Sequence, residues 1–150
     1  MTDAVALFDQ FPATSMREKV LRLEEALKQF PQIPEDVHHH FAPGVYMREL
    51  RIPAGAVLTG KIHRTEHLNI LAAGEISVLT EHGVQHLKAP CVIKSSPGIK
   101  RAGVAHTDCV WICVHPTTET DLAKLEEQLI APSYEALGEI DVKPDLLVQQ

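Results

Sequence analysis

The sequence predicts an all-β barrel with one helix at each end, on three observations. Short apolar or alternating segments follow one another from Gly44 to His115, turn residues separate them, and helical periodicity occurs only outside that stretch. At 150 residues the chain suits one domain with its own core. Hydrophobic residues at 45% and charged residues at 23% fit a globular chain and exclude a disordered or low-complexity one. A net charge of −6 argues against a general nucleic-acid surface. Residues 1–114 carry twelve acids and twelve bases, so the acidic excess lies wholly in 115–150.

The elements follow in order. Ser15 and Glu18 form a capping box ahead of Val20, Leu23, Leu27 and Phe30 at helical spacing, which predicts a helix from about Ser15 to Phe30. Pro31 and Pro34 end it, because proline lacks the amide donor and crowds the preceding turn. A linker holding His38-His39-His40 then leads to the barrel, and the three histidines are expected at the surface or an interface, since three consecutive side chains cannot converge on one ion. GVYMRELRI, AVLTGKIH, HLNILAA, EISVLTE, GVQHL, CVIKS and CVWICVH read as seven or eight strands. Cys109 to Val114 is apolar on both faces, so a terminal helix or a second subunit is expected to cover its outside. Leu122, Leu125 and Leu129 share a stripe within Thr118 to Ile130, which predicts a second helix. The remainder, with Pro132 and Pro144, is expected along the surface or across a partner. The division is therefore 1–43 helix and linker, 44–116 barrel, and 117–150 helix and acidic tail, in one domain overall.

Cys91, Cys109 and Cys113 are odd in number and contain no C-x-x-C pair, which suits a reducing cytoplasm better than a disulfide framework. The opening MTDAVALFDQ carries acids where a secretory leader carries bases, and no apolar run is long enough to span a membrane. Neither nucleic acid nor membrane is an expected partner.

Among nine histidines, His63, His67 and His106 lie in the strand region. His63 and His67 flank a polar turn, His106 adjoins another strand, and a barrel mouth brings strand ends together. Neutral imidazoles about 2.0 to 2.2 Å from one point hold Zn, Fe, Ni or a similar ion. The same three rings also suit a pocket that uses them only for hydrogen bonds. Glu66 ranks behind His67 as a donor because strand alternation turns it to solvent. Lys88, Lys94, Lys100 and Arg101 interrupt a stretch without acids. With Lys61 and Arg48 they suit a small anionic ligand such as a carboxylate or phosphate. Tyr46 and Arg48 share a strand face and are candidate pocket residues, as is Asn69 on the face of His67. Cys109 and Cys113 are placed opposite His106, packed under a helix, and His115 is read as a cap at the barrel exit. No nucleophile elbow, phosphate loop or dinucleotide fingerprint is present.

The spacing Gly55, Lys61, His63, His67, Gly74 resembles the first motif of the cupin superfamily, in which Gly, His, His, Glu and Gly stand at these intervals. Arg101, Gly103, His106 and Val110 align with the Pro, Gly, His and Asn of the second motif, with only Gly and His retained. The resemblance covers Gly44 to His115 and implies a double-stranded β-helix, or jelly-roll barrel, often dimeric. It also implies His63, His67 and His106 as ligands of a divalent Fe, Mn, Zn or Ni ion, with Lys61 in a usual histidine place and His67 in a usual glutamate place. RELRIPAG, SSPGIKRAGVAH and VWICVHPTTETDL make the whole chain similar to small single-domain cupins of phage and prophage. Two functions follow as expectations. One is a metal-dependent oxygenase or isomerase acting on a small anion, with Lys61, Arg101, Arg48, Tyr46 and Asn69 around the substrate. The other is a metal-free, non-catalytic cupin that encloses a ligand or serves as an accessory module, which the Lys61 and His67 replacements favour.

Overall fold

The computed structural model describes residues 15–80, 82–137 and 146–149, the last by backbone course. The opening MTDAVALFDQ stretch and much of the acidic tail lie outside the described residues. Helix α1 (Met16–Leu27) begins where the capping box places it, with the Ser15 hydroxyl accepting from the Glu18 amide at 3.2 Å. The strands are β1 (Asp36–Ala42), β2 (Val45–Ile52), β3 (Val57–Thr59), β4 (Ile62–His63), β5 (His67–Ala73), β6 (Glu75–Thr80), β7 (Gly83–Lys88), β8 (Cys91–Ser95), β9 (Ala102–Ala105) and β10 (Cys109–Pro116). Helix α2 (Leu122–Leu129), capped by the Asp121 side chain, runs into β11 (Ile130–Ala131), and β12 (Leu146–Gln149) closes the chain.

All pairings are antiparallel. A six-stranded sheet in the order β1-β2-β10-β5-β8-β12 faces a four-stranded sheet in the order β3-β9-β6-β7, and a small β11-β4 pair bridges one end. This is the jelly-roll barrel with a helix at each end. Leu71, Leu87, Cys91 and Ile93, each at most 1% exposed, fill the space between the sheets with Ile52, Ile76, Val78 and Ala105. Helix α1 buries Val20 and Leu23 against the outside of the smaller sheet, on Leu79, Ala102 and Val104. An ion pair fastens it there: Lys100 Nζ lies 2.6 Å from Glu24 Oε2, and the Thr59 hydroxyl donates to the same oxygen.

Gly74, the last glycine of the motif, turns β5 into β6 at φ +86°, a region costly for residues with a Cβ. A Cβ there would stand 2.2 Å from the Asp108 carbonyl, so both backbone angle and space require glycine. The strands begin earlier than the expected linker allows, because the triple histidine is itself strand β1, paired residue for residue with β2. Alternation splits the three rings. His38 and His40 reach Asp36 and Glu49, while His39, still exposed, lies on the cavity side against Tyr46.

Candidate metal centre and anion pocket

Alternation along β10 sends Trp111, Cys113 and His115 to the inner face. Pairing then sets their neighbours: Cys113 stands across from Arg48 on β2 and Asn69 on β5, and His115 across from Tyr46. His67 enters from the start of β5. His63 comes from β4, which the carboxy-terminal segment pins through the Ile130–His63 pairing and the Arg64 amide donating to the Leu129 carbonyl at 2.7 Å. Three imidazoles thus meet, with ring centroids 4.3 Å apart for His63 and His67, 4.6 Å for His67 and His115, and 5.5 Å for His63 and His115.

Donor atoms of His63, His67, Cys113 and His115 all lie within 4.8 Å of one another. Ligands about 2.0 to 2.3 Å from an ion stand at most about 4.6 Å apart, so the donors would draw in by at least a few tenths of an ångström to share one ion. The protonation states suit it. Burial first, then the neighbouring imidazoles and the Arg48 and Arg101 guanidiniums, hold His63 down to about 2. Burial, then His67 and Arg48, holds His115 at about 4, and burial lowers His67 against the opposing hydrogen bond to Thr65. All three are therefore neutral near pH 7 and keep lone pairs. His67 Nδ1 donates to the Thr65 carbonyl at 3.1 Å, which leaves Nε2 as the acceptor atom. His115 is 2% exposed, and its Nδ1 has no hydrogen-bond partner among the described residues. An orphaned buried nitrogen in a set of neutral donors fits a metal ligand.

A cavity of about 310 Å³ opens beside the cluster. Leu50, Ile52, Leu58, Ile76, Val78 and Trp111 wall it, and Leu125 and Leu129 of α2 cover one side. Tyr46, 4% exposed, stacks on His115 and hydrogen-bonds His39 at 2.7 Å. Arg101 Nη1 donates to the Ser95 hydroxyl at 2.7 Å, and the Asn69 amide donates to the same oxygen. The Arg48 guanidinium lines the opposite side, with Glu35 3.9 Å away and largely exposed.

Two expectations from the sequence are corrected by this geometry. His106 does not join His63 and His67. Ala105 packs inward, so the next residue turns outward, where His106 Nε2 sits 2.6 Å from the Ser77 hydroxyl and the ring stacks on His86. Its place in the cluster is taken by His115, read from the sequence as a cap, and Cys113, read as packing under a helix, faces inward among the imidazoles with a sulfur that could serve as a donor. The missed signal was the shared parity of Cys113 and His115 in CVWICVH. The basic group also divides: Lys88 reaches Glu75, Lys94 reaches Glu66, and Lys100 holds Glu24, while Arg48, Arg101 and Lys61 line the cavity. Lys61 is turned to Glu126 of α2 at 2.9 Å, at the rim, and Glu66 faces outward as alternation requires.

The chain therefore has the cupin fold, with a His/Cys cluster that could hold a metal ion. Among solved structures it is similar to salicylate 1,2-dioxygenase from Pseudoaminobacter salicylatoxidans, at a TM-score of 0.52 and 9% identity over 75% of this chain. This chain spans 34% of the dioxygenase chain. It is also similar to a cupin domain from Bordetella pertussis Tohama I, at a TM-score of 0.46 and 14% identity, covering 59% of this chain and 98% of that one. A cupin 2 domain-containing protein from Halorhodospira halophila gives a TM-score of 0.46 and 15% identity, covering 63% and 75%. No family model matches the sequence, and no curated protein does. No helix among the described residues is long and apolar enough to cross a membrane.

Proposed function

We propose that the protein holds a divalent first-row metal ion on His63, His67 and His115, and acts on a small anionic molecule received by Arg48 and Arg101. The observation that carries this reading is the convergence of neutral donors within 4.8 Å at the wall of a 310 Å³ cavity. Bound there, such an ion supplies Lewis acidity or oxygen activation, the chemistry of an isomerase or an oxygenase. The chain's own residues do the rest. The two guanidiniums orient an anion, Ser95 holds Arg101 in place, and Asn69 shares that hydroxyl. Apolar walls and α2 exclude water, which strengthens those charge contacts. Lys61, held to Glu126, serves the rim.

A second reading is a metal-free anion pocket, favoured by the two guanidiniums that line the cavity with the imidazoles, since like charge opposes a dication. One experiment separates the two: metal analysis of protein purified without chelator or nickel resin, with melting followed on addition of Fe²⁺, Mn²⁺, Zn²⁺ and Ni²⁺. The metal reading expects near-stoichiometric metal or a raised Tm. Metal-free protein with unchanged melting would overturn it and leave the anion pocket.

We infer further that the protein is a homodimer through the outer face of the six-stranded sheet, in a reducing cytoplasm that suits three buried free thiols. Met47, Ile70, Val92, Val110, Ile112 and Val114 are half-buried on that face, and Val45 and Leu68 are exposed. Helix α1 packs on the other sheet, and α2 buries Leu125 and Leu129 against Tyr46. Six strands about 4.8 Å apart, with up to eight residues rising about 3.3 Å each, make a face of roughly 700 Å². A stable interface takes about 600 to 1,000 Å² per partner, a range that includes this face. Light scattering should give twice the chain mass and half that for Ile112→Lys; a monomeric parent protein would rule the dimer out.

A further inference from the structure

Resting on the metal reading above, we propose that Cys113 is the fourth protein ligand and binds as a thiolate. The site would then take a sulfur-accepting ion of the zinc, cobalt, nickel or copper class in preference to manganese or magnesium.

Position comes first. Cys113 is 6% exposed on a strand held from both sides, by β2 and by β5, so its backbone has little freedom to withdraw from the imidazoles. The other two cysteines are engaged elsewhere: Cys109 Sγ donates to the Glu75 carbonyl at 3.2 Å, and Cys91 is packed in the apolar core. His115, two residues along the same strand face, is 2% exposed, and its Nδ1 has no hydrogen-bond partner among the described residues.

Charge comes second. An ion on three neutral imidazoles would present its full double charge to a cavity lined by Arg48 and Arg101. A thiolate ligand removes one elementary charge of that excess at its source. Among the described residues no carboxylate belongs to the donor cluster. A coordinated thiol gives up its proton, so the anion forms as a metal takes the sulfur lone pair. In that step the S–H bond breaks, the metal–sulfur bond forms, and the proton leaves to solvent, with no change of oxidation state.

The test is titration of metal-free protein with Co²⁺, read by absorption. Ligand-field bands report binding, and a near-ultraviolet thiolate-to-cobalt charge-transfer band reports sulfur ligation. We expect both in the parent protein. Cys113→Ser should keep the ligand-field bands, lose the near-ultraviolet band and bind more than about 100-fold more weakly, beyond the 10–100-fold that loss of a supporting hydrogen bond costs. X-ray absorption of the zinc-loaded parent protein should show one sulfur neighbour, a readout independent of how well the variant folds. Ligand-field bands without the charge-transfer band, or a zinc shell without sulfur, would overturn the proposal and leave the three-histidine reading standing. No cobalt binding at all would sink both.

Discussion

Two groups of histidines in this molecule sit on opposite sides of β-structure and meet different fates. Inside, His63, His67 and His115 stack on one another with guanidiniums near and, among the described residues, no carboxylate in their cluster. Outside, His86 and His106 stack at 5.1 Å, but His86 Nε2 reaches Glu75 at 3.0 Å and His106 Nε2 reaches Ser77 at 2.6 Å. The outer pair commits both nitrogens of His86 and the Nε2 of His106 to the protein. The inner trio brings its donor atoms, with the Cys113 sulfur, within 4.8 Å of one another, and the environment, not the residue type, makes it a candidate for chemistry.

The largest expected effect is on stability against pH. The inner rings have folded pKa values below the unfolded value near 6.5, about 2 for His63 and about 4 for His115. Below pH 6.5 the unfolded chain therefore binds protons that the folded chain refuses, and stability falls as pH falls. Each tenfold loss of proton affinity on folding is worth about 1.4 kcal/mol, so the metal-free protein should lose several kcal/mol between about pH 6.5 and 4. Urea unfolding at successive pH values measures this, and His115→Gln should flatten the slope; a parent protein equally stable across that interval would contradict the buried, neutral trio.

Next in size is metal affinity. His115→Ala should weaken metal binding by more than about 100-fold, whereas His106→Ala should leave it within about twofold. Calorimetric titration with Zn²⁺ compares them directly, and the reverse ranking would return the site to the arrangement expected from the motif. A smaller effect belongs to the outer pair. His106→Ala removes the Ser77 hydrogen bond and should cost about 1 kcal/mol in chemical denaturation, with metal content unchanged. The smallest is at the rim: Lys61→Ala breaks an exposed pair with Glu126 and should cost less than about 1 kcal/mol. A large loss of metal in that variant would show that Lys61 acts inside the site after all.

Much of the barrel was legible because it rests on local rules. The Ser15 cap, the strand alternation and the Gly74 turn each depend on a few neighbouring residues, and His63 and His67 are separated by one short turn. The third imidazole was not legible. His106 and Cys109 are joined by Thr107-Asp108, where the chain passes from the four-stranded to the six-stranded sheet, and alternation carries through: Ala105 and Cys109 face the core while His106 faces out. Cys113 does lie on the face opposite His106; reading His106 as the inward ring makes that face the outside and leaves His115 a cap. The triple histidine was hidden for a related reason: an edge strand is recognised by its pairing, and β1 gains its register only from β2.

By itself, the sequence determined an all-β barrel with two terminal helices, a glycine where no side chain fits, and two histidines poised on adjoining strands. These follow from backbone sterics and periodicity, which act over a few residues. Tertiary structure alone decided which third imidazole joins them, that a thiol stands among them, and that of the basic residues only Arg48, Arg101 and a rim-held Lys61 line the cavity. Those outcomes depend on which strands of the two sheets become neighbours, and that is set by burial of the shared core, a property of the whole chain.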